Sequence, residues 1–121
     1  MPAADDVRGI ARLVRAARVS LAALVWGFRH EEAIRLEFLG LAVCVPLAFW
    51  LGENGIERAV LIASVLLILL VELLNTAIER TIDRIGPERH ELSRLAKDMG
   101  SAAVMIALCI AATVWGLVVW G

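Results

Sequence analysis

Three long apolar stretches constrain this chain more than any other feature of its sequence. They cover residues 34–51, 59–82 and 99–120. Each approaches the roughly 20 apolar residues that a helix needs to cross a bilayer, and hydrocarbon offers no water to pair with a non-helical backbone. Gly52, Asn54 and Gly55 separate the first two stretches, and Gly86-Pro87 ends the second because proline cannot continue a helix. The sequence therefore predicts an all-α integral membrane protein with three transmembrane helices.

The composition supports a membrane location and a single domain. Hydrophobic residues make up 60% of the 121 residues, and the mean hydropathy of +0.79 is too high for an ordinary soluble domain. The length permits one domain, predicted over residues 1–121. Cys44 and Cys109 lie in apolar runs without CxxC spacing, which predicts buried, inert thiols. No cleavable signal peptide is evident, and nucleic acid is not an expected partner.

Residues 5–28 show a different, amphipathic pattern. Four arginines share one face at about 100° per residue, namely Arg8, Arg12, Arg15 and Arg18. The other face carries Ile10, Leu13, Val14, Ala17, Leu21 and Leu24. This pattern predicts a helix that lies at the membrane surface with its arginines toward headgroups and water. A helix packed on a soluble partner is the alternative.

The basic residues predict the orientation of the chain. They concentrate before the first apolar stretch and between the second and third, whereas Arg58 alone lies in the first connection and none follows the third stretch. The positive-inside rule then places the N-terminus and residues 83–98 in the cytoplasm and the C-terminus outside. Trp50 and Trp120 would both mark the outer interface, where indole rings are enriched.

The segment VELLNTAIERTIDRI, residues 71–85, contains several acidic residues. It overlaps a stretch predicted to span the membrane, where a charged side chain is unfavourable. Glu72, Asn75, Glu79 and Asp83 fall within about 80° of one another on a helix, in a stripe about 16 Å long. An isolated charge at the depth of Glu72 costs on the order of 3 kcal/mol. A polar stripe can also hold helices together, but Asn75 alone would do that. Three carboxylates exceed this need, so the acidic stripe predicts a functional site.

Three chemistries suit such a stripe: proton or cation passage, metal-assisted phosphoryl transfer, and general-base attack on a lipid hydroxyl. Residues 60–71 offer only Ser64 as a polar group, so the stripe is expected to open to the cytoplasm and to stop. This favours a site that serves one soluble substrate and one lipid.

The next segment, GPERHELSRLAKDMGS, supplies positive charge. Lys97, the only lysine of the chain, lies beside Asp98 and could hold a phosphate while carboxylates hold Mg²⁺. An anchor at the membrane edge is the alternative for Lys97, as simple solvation is for His90. No GxxxxGK[ST] motif occurs, so a P-loop is not expected.

VELLNTAIERTIDRIG and ERHELSRLAKDMGSAAV resemble the bacterial integral-membrane diacylglycerol kinase family. The pattern E-x-x-N-(S/T)-A-I-E-x-x-x-D followed by A-K-D is long and specific, and the resemblance extends from Arg12 through EEAIRLE to the third apolar stretch. It implies a homotrimeric bundle in the bacterial inner membrane, each subunit having one surface helix, three spanning helices and a periplasmic C-terminus. It also implies transfer of the γ-phosphate of ATP to diacylglycerol, with Mg²⁺ as cofactor and phosphatidate as product, at sites between neighbouring subunits.

The resemblance also implies roles for individual residues. Glu72 matches the catalytic base, and the other positions matched to catalysis are Asn75, Lys97 and Asp98. Glu31 and Glu79 match metal-binding carboxylates. Positions matched to the nucleotide are Arg12, Val19, Glu31, Glu79, Glu88, Arg89, His90, Lys97 and Asp98. Positions matched to the lipid or its path are Arg12, Ala17, Ser20, Leu21, Phe28, Arg35, Glu37, Trp50, Arg58, Glu72 and Ser101.

The chain departs from the family pattern at a few positions. Val19, Leu21 and Ala22 stand where the family has an aromatic pair and a lysine, and Arg89 replaces a tyrosine, which affects lipid and adenine contacts. An undecaprenol kinase of the same fold is an alternative, although FRHEEAIRLE and IDRIGPERHELS are more similar to the diacylglycerol branch. A non-enzymatic ion pathway or assembly subunit is a second alternative, which would need polar residues through the outer halves of the spans.

Overall fold

The computed structural model describes residues 4–121, with side chains from residue 7 onward, as four helices. These are α1 (Ala4–His30), α2 (Glu32–Leu51), α3 (Gly55–Ile85) and α4 (Glu91–Trp120). This part of the chain contains no β-strand, and α2, α3 and α4 are each long and apolar enough to cross a membrane. The predicted all-α class with three candidate spans is confirmed. The predicted domain also includes residues 1–3, which lie outside the described residues.

The helices α3 and α4 extend beyond the predicted spans 59–82 and 99–120. Polar side chains stabilise the first turns of α4, where Arg94 pairs with Glu91 at 2.5 Å and with Asp98 at 3.0 Å. These are the i,i+3 and i,i+4 spacings at which helical side chains meet. Hydropathy marks only the apolar part of a helix, so it gives no signal for this polar beginning of α4.

The connection between α2 and α3 is a short turn where the sequence predicts a break. The Gly52 N–H donates to the Ala48 carbonyl at 2.9 Å, which closes α2. The Asn54 side chain caps α3 by accepting a hydrogen bond from the Glu57 N–H at 2.9 Å. A Cβ on Gly52 would lie 2.6 Å from Arg58 Cγ, so glycine lets the start of α3 pack closely on the end of α2.

The connection between α3 and α4 begins at Gly86, whose φ of 154° favours glycine. Pro87 follows at the position where the sequence predicts that α3 stops. His90 then caps α4, because its Nδ1 accepts a hydrogen bond from the Leu92 N–H at 3.1 Å. The loop therefore returns the chain beside the end of α3.

Contacts between helices show that neighbours run antiparallel. Asp83 near the end of α3 contacts Lys97 near the start of α4, and Ser64 near the start of α3 contacts Trp115 near the end of α4. α2 also packs on α3, with Glu31 at its start next to the end of α3. We call the end of the bundle that contains Glu31, Asp83 and Lys97 the polar end.

A small apolar core holds α3 against α4. It consists of Ile68, Ala107 and Ala111, with Val71 packed against it. Alanines at such an interface let membrane helices approach closely, which favours packing where no hydrophobic effect drives association. Only 11% of the apolar window of α2, 28% of that of α3 and 11% of that of α4 is buried. Most of the apolar surface of one chain is therefore open to lipid or to other subunits.

The two cysteines show the same outward exposure. Cys109 is exposed and Cys44 is partly exposed, so the prediction that both thiols are buried is wrong for a single chain. The physical reason is that an apolar run on a membrane helix faces the surroundings as readily as it faces the interior of the bundle.

α1 contacts the rest of the chain mainly near its own end. Gly27 lies against Ile34 of α2, so closely that a Cβ on Gly27 would be 2.9 Å from Ile34 Cδ1. The side chains of residues 7–23 are all exposed. Such a helix is free to lie on another surface, and its position at the membrane interface stays a prediction.

Candidate active site

An ion pair joins α3 to α4 at the polar end. Lys97 Nζ lies 3.1 Å from Asp83 Oδ1, and the two side chains are 45% and 59% exposed. A pair this exposed contributes only about 0–1 kcal/mol to stability. Its main consequence is position, because it holds the only lysine of the chain beside a cavity.

That cavity has a volume of about 600 Å³ and opens between the end of α3 and the start of α4. The charged and titratable side chains that line it include Asp83, Glu88, Arg89, His90, Arg94 and Lys97. Its size is in the range of small-molecule sites, about 300–1,000 Å³. The structure thus brings together four residues that the sequence assigns to the nucleotide, namely Glu88, Arg89, His90 and Lys97.

Asn75 lies on α3 farther from the polar end than the cavity, directly against Gly100 of α4. Its Nδ2 donates a long hydrogen bond of 3.3 Å to Glu79 Oε1. Its Oδ1 is buried and has no hydrogen-bond partner among the described residues, and a Cβ at position 100 would collide with it. An unsatisfied buried acceptor is unfavourable by about 1–3 kcal/mol. Asn75 Oδ1 is therefore an unpaired acceptor packed against α4, which a ligand could contact only if the two helices separate locally.

Glu72 lies about 10 Å deeper along α3 than Glu79. It is half-buried and close enough to the half-buried Glu37 of α2 for their charges to repel. Neither carboxylate has an ion-pair partner among the side chains that the structure describes. The sequence groups Glu37 with the lipid path, and the structure places it beside the predicted base. A proton or a cation that reaches this pair would relieve the repulsion.

Glu31 is the one residue between α1 and α2, and its side chain does not cap α2. Its carboxylate pairs instead with Arg80, the neighbour of Glu79 in sequence. Mg²⁺ prefers oxygen ligands and is usually held by one or two carboxylates together with substrate phosphates. Glu31 and Glu79 have this donor chemistry. Between residues 7 and 121 no three Asp, Glu, His or Cys side chains form a metal-holding group, so phosphate oxygens would complete the ligand set.

Comparison with known proteins identifies what kind of chain carries this arrangement. The family of prokaryotic diacylglycerol kinases matches residues 18–119. The chain belongs to the prokaryotic diacylglycerol kinase family. The resemblance found in the sequence is therefore confirmed, and family membership together with three apolar helices makes the chain a multi-pass protein of the inner membrane.

Three relatives, each named diacylglycerol kinase, match almost the whole chain. The protein of Haemophilus influenzae is 50% identical over 108 residues, which cover 89% of this chain and 92% of the relative. The protein of Escherichia coli K12 is 44% identical over 117 residues, or 97% of this chain and 96% of the relative. The protein of Pseudomonas aeruginosa is 47% identical over 113 residues, or 93% and 92%.

The residues that the family resemblance assigns to the lipid lie in several separate places in one chain. Ala17, Ser20 and Leu21 are exposed on α1, and Ser101 is exposed on α4. Phe28 and Arg35 meet at the junction of α1 and α2, where Arg35 Nε donates to the Phe28 carbonyl at 3.1 Å. Trp50 and Arg58 lie at the opposite end of the bundle, where the Arg58 guanidinium is 5.9 Å from the Phe49 ring centroid. A single chain does not gather them.

Five residues assigned to the nucleotide do not line the cavity, namely Arg12, Val19, Glu31, Glu79 and Asp98. Arg12 and Val19 are exposed on α1 and are not among the residues that line it. Asp98 pairs with Arg94 at 3.0 Å, and it does not line the cavity itself. The cavity of one chain therefore holds only part of the predicted nucleotide site.

Three charged residues at the polar end have no role in the sequence-based assignment. The sequence does place Asp83 in the acidic stripe, but it does not indicate that Asp83 pairs with Lys97. Arg94 stands four residues before Asp98, which is visible as helical spacing. Arg80 pairs with Glu31 across 49 positions, and no local pattern indicates such a contact.

Proposed function

We propose that this chain phosphorylates the free hydroxyl of diacylglycerol with the γ-phosphate of ATP and so returns the lipid to phospholipid metabolism as phosphatidate. The observation that carries the proposal is the meeting, in a member of this family, of the acidic stripe with a cavity at the polar end whose lining includes the cations Arg89, Arg94 and Lys97 beside the acids Asp83, Glu88 and Glu91. These cations can contact the phosphates of a water-soluble nucleotide. Glu72 lies deeper, on the side from which a lipid hydroxyl would approach the γ-phosphate.

Glu72 is proposed to act as the general base. The lipid hydroxyl oxygen forms a bond to the γ-phosphorus, the bond to the ADP oxygen breaks, and the hydroxyl proton passes to Glu72. Asn75 is proposed to orient this hydroxyl through its unpaired Oδ1, which requires a local separation of α3 from Gly100 when the lipid binds, while its Nδ2 orients Glu79. Phosphoryl transfer depends chiefly on positioning and charge neutralisation, so this set needs no Gly-rich loop.

The polar end is proposed to bind MgATP. Lys97, Arg89 and His90 face the cavity and supply cationic and hydrogen-bonding groups for phosphate oxygens. Glu31 and Glu79 would hold Mg²⁺, which when bound neutralises part of the phosphate charge. Asp98 would orient Arg94, which also lines the cavity.

The chain is proposed to work as a homotrimer. Support comes from the large apolar surface that α2 and α4 leave uncovered, and from the separation of Arg12, Val19 and the α1 lipid residues from the cavity. A second subunit would bring its α1 to the cavity of the first. The N-terminus and the polar end are proposed to face the cytoplasm and the C-terminus the periplasm, because basic residues concentrate at the polar end.

The function is tested by incubating the purified full-length protein with Mg²⁺ and γ-labelled ATP in mixed micelles that contain one candidate lipid. Label should enter phosphatidate when diacylglycerol is present and should not enter undecaprenyl phosphate when undecaprenol replaces it. Transfer to undecaprenol alone would assign the chain to the other lipid. If neither lipid is phosphorylated, the proposed function is refuted.

A further inference from the structure

No residue next to Glu31 in the sequence fixes the orientation of its side chain. It joins two helices in an extended conformation (φ −117°, ψ 115°), and its side chain makes no capping hydrogen bond to α2. The long side chain of glutamate is also not among those preferred at this position. Whatever orients the Glu31 carboxylate must therefore come from another part of the chain.

Arg80 of α3 supplies that contact through one end of its guanidinium. Arg80 Nη2 donates to Glu31 Oε1, and the structure assigns no partner to Oε2 among the described side chains. The exposed fraction of the Glu31 side chain is 21%, against 56% for Arg80. One carboxylate oxygen is thus held from α3 while the other stays available to a ligand.

A second contact fixes the plane of the same guanidinium. Arg80 Cζ lies 5.1 Å from the ring centroid of Trp26 on α1, within the range of a cation–π interaction. Trp26 in turn stacks on His30 with ring centroids 4.6 Å apart, and His30 Nδ1 lies 2.9 Å from the Trp26 carbonyl oxygen. Arginine combines a flat face for stacking with a fork of donors for a carboxylate, and lysine lacks both. Arg80 therefore ties both α1 and the start of α2 to α3.

Arg80 also has a distinctive place in the charge pattern. It is the only basic residue between positions 59 and 83, and it follows Glu79 directly in a helix that also carries Glu72 and Asp83. A triphosphate that approaches Glu31 and Glu79 adds further negative charge. A fixed cation at this point lowers the repulsion between the nucleotide and the acidic stripe.

From these contacts we infer that Arg80 is a positioning residue, which holds Glu31 toward α3 and so presents it to the nucleotide. The inference rests on the proposed function, because it takes MgATP as the ligand of the polar end. Groups that orient metal-binding side chains typically change metal affinity or activity by about 10–100-fold when they are removed. The effect should fall on nucleotide binding, since Arg80 does not touch the predicted position of the lipid hydroxyl.

The test compares full-length Arg80→Met, Arg80→Lys and the control Arg84→Met in mixed micelles. Arg84 is exposed on the next turn of α3 and makes no ion pair among the described residues, so its loss removes the same charge without the same contacts. Three quantities are measured: KM and kcat for MgATP, the Kd of a non-hydrolysable MgATP analogue, and tryptophan emission without nucleotide. Arg80→Met is repeated in a Trp26→Phe background to assign the emission change.

Arg80→Met should raise KM and the analogue Kd by about tenfold or more, with kcat and the KM for diacylglycerol within about twofold. Arg80→Lys should fall between it and the wild type, and Arg84→Met should match the wild type. The Arg80→Met substitution should change the tryptophan emission of the otherwise wild-type protein. The same substitution should leave the emission of the Trp26→Phe protein unchanged. If Arg80→Met does not fold, a KM increase in folded Arg80→Lys with normal kcat serves the same purpose.

The inference is overturned if nucleotide affinity stays within twofold in Arg80→Met, or if Arg84→Met shows the same loss. It is also overturned if kcat and both KM values change together with thermal stability, which would indicate a purely structural role. A wild type without kinase activity would refute the proposed function separately. In that case the analogue Kd would still decide whether Arg80 serves nucleotide binding, and the nucleotide-free emission would show only whether Arg80 contacts Trp26.

Discussion

Replacing Gly100 by alanine should reduce both stability and turnover. The added Cβ would overlap Asn75 Oδ1 and lie 3.2 Å from Asn75 Cγ, so the amide must turn away or α4 must shift. Loss of the 3.3 Å hydrogen bond to Glu79 costs about 0.5–1.5 kcal/mol, and overpacking adds about 1–3 kcal/mol. The better helix propensity of alanine offsets about 1 kcal/mol, which leaves a net loss of about 0.5–3.5 kcal/mol.

A separate effect on catalysis is predicted because Asn75 is proposed to orient the reacting hydroxyl. A displacement of a catalytic group by about 1 Å can lower the rate about 10²-fold. We therefore expect Gly100→Ala to fold and to keep the oligomeric state of the wild type, with turnover lower by about 10²-fold and KM for MgATP changed much less. Initial rates of phosphatidate formation and unfolding in mixed detergent would measure the two effects side by side.

Gly116→Ala is the matched control. Gly116 lies on the same helix near its other end, and a Cβ there would have no atom within 4 Å. This variant should keep wild-type turnover and be equally stable or more stable by up to about 1 kcal/mol. Turnover of Gly100→Ala within threefold of the wild type would refute the reasoning, as would an equal loss of activity in Gly116→Ala.

Three further predictions follow from the proposed site. Glu72→Gln should keep MgATP binding but lose about 10²–10⁴-fold in turnover, together with the acid limb of the pH–rate profile. Glu79→Gln should weaken MgATP binding itself. Near-normal turnover with the acid limb intact in Glu72→Gln would exclude Glu72 as the base. Mixed oligomers of Glu72→Gln and Arg12→Ala subunits should regain activity if α1 of one subunit completes the site of another, and inactive mixed oligomers would count against a shared site. A reporter that works only in the cytoplasm should be active on the N-terminus and inactive after Gly121, and the reverse pattern would contradict the proposed orientation.

The sequence predicts the helices well because the signals for them are local. Hydropathy marks each apolar run, and Gly86-Pro87 and Asn54 sit where the turns occur. The stripe on α3 is equally local, because helical periodicity alone puts Glu72 and Glu79 on one face.

Contacts that join distant parts of the chain could not be found in this way. Arg80 meets Glu31 across 49 positions, and Gly100 reaches Asn75 only because α4 folds back along α3. Both depend on the register of two packed helices, and periodicity within one helix does not fix that register. The prediction that both cysteines are buried failed for a related reason. The exposed Cys109 shows that hydropathy does not indicate which face of a membrane helix contacts protein.

The hydrogen bonds in the other half of the bundle have a consequence for the energetics of the cell. Ser64 donates to the Leu61 carbonyl at 2.7 Å and accepts from Trp115 Nε1 at 3.1 Å, and Thr113 donates to the Cys109 carbonyl at 2.8 Å. These hydroxyls are engaged within the chain. Between Ser64 and Glu72, α3 has only apolar side chains, so it offers no side chain that could pass a proton from one half of the bundle to the other. A bacterium could accumulate many copies of such an acidic membrane protein without short-circuiting its proton-motive force.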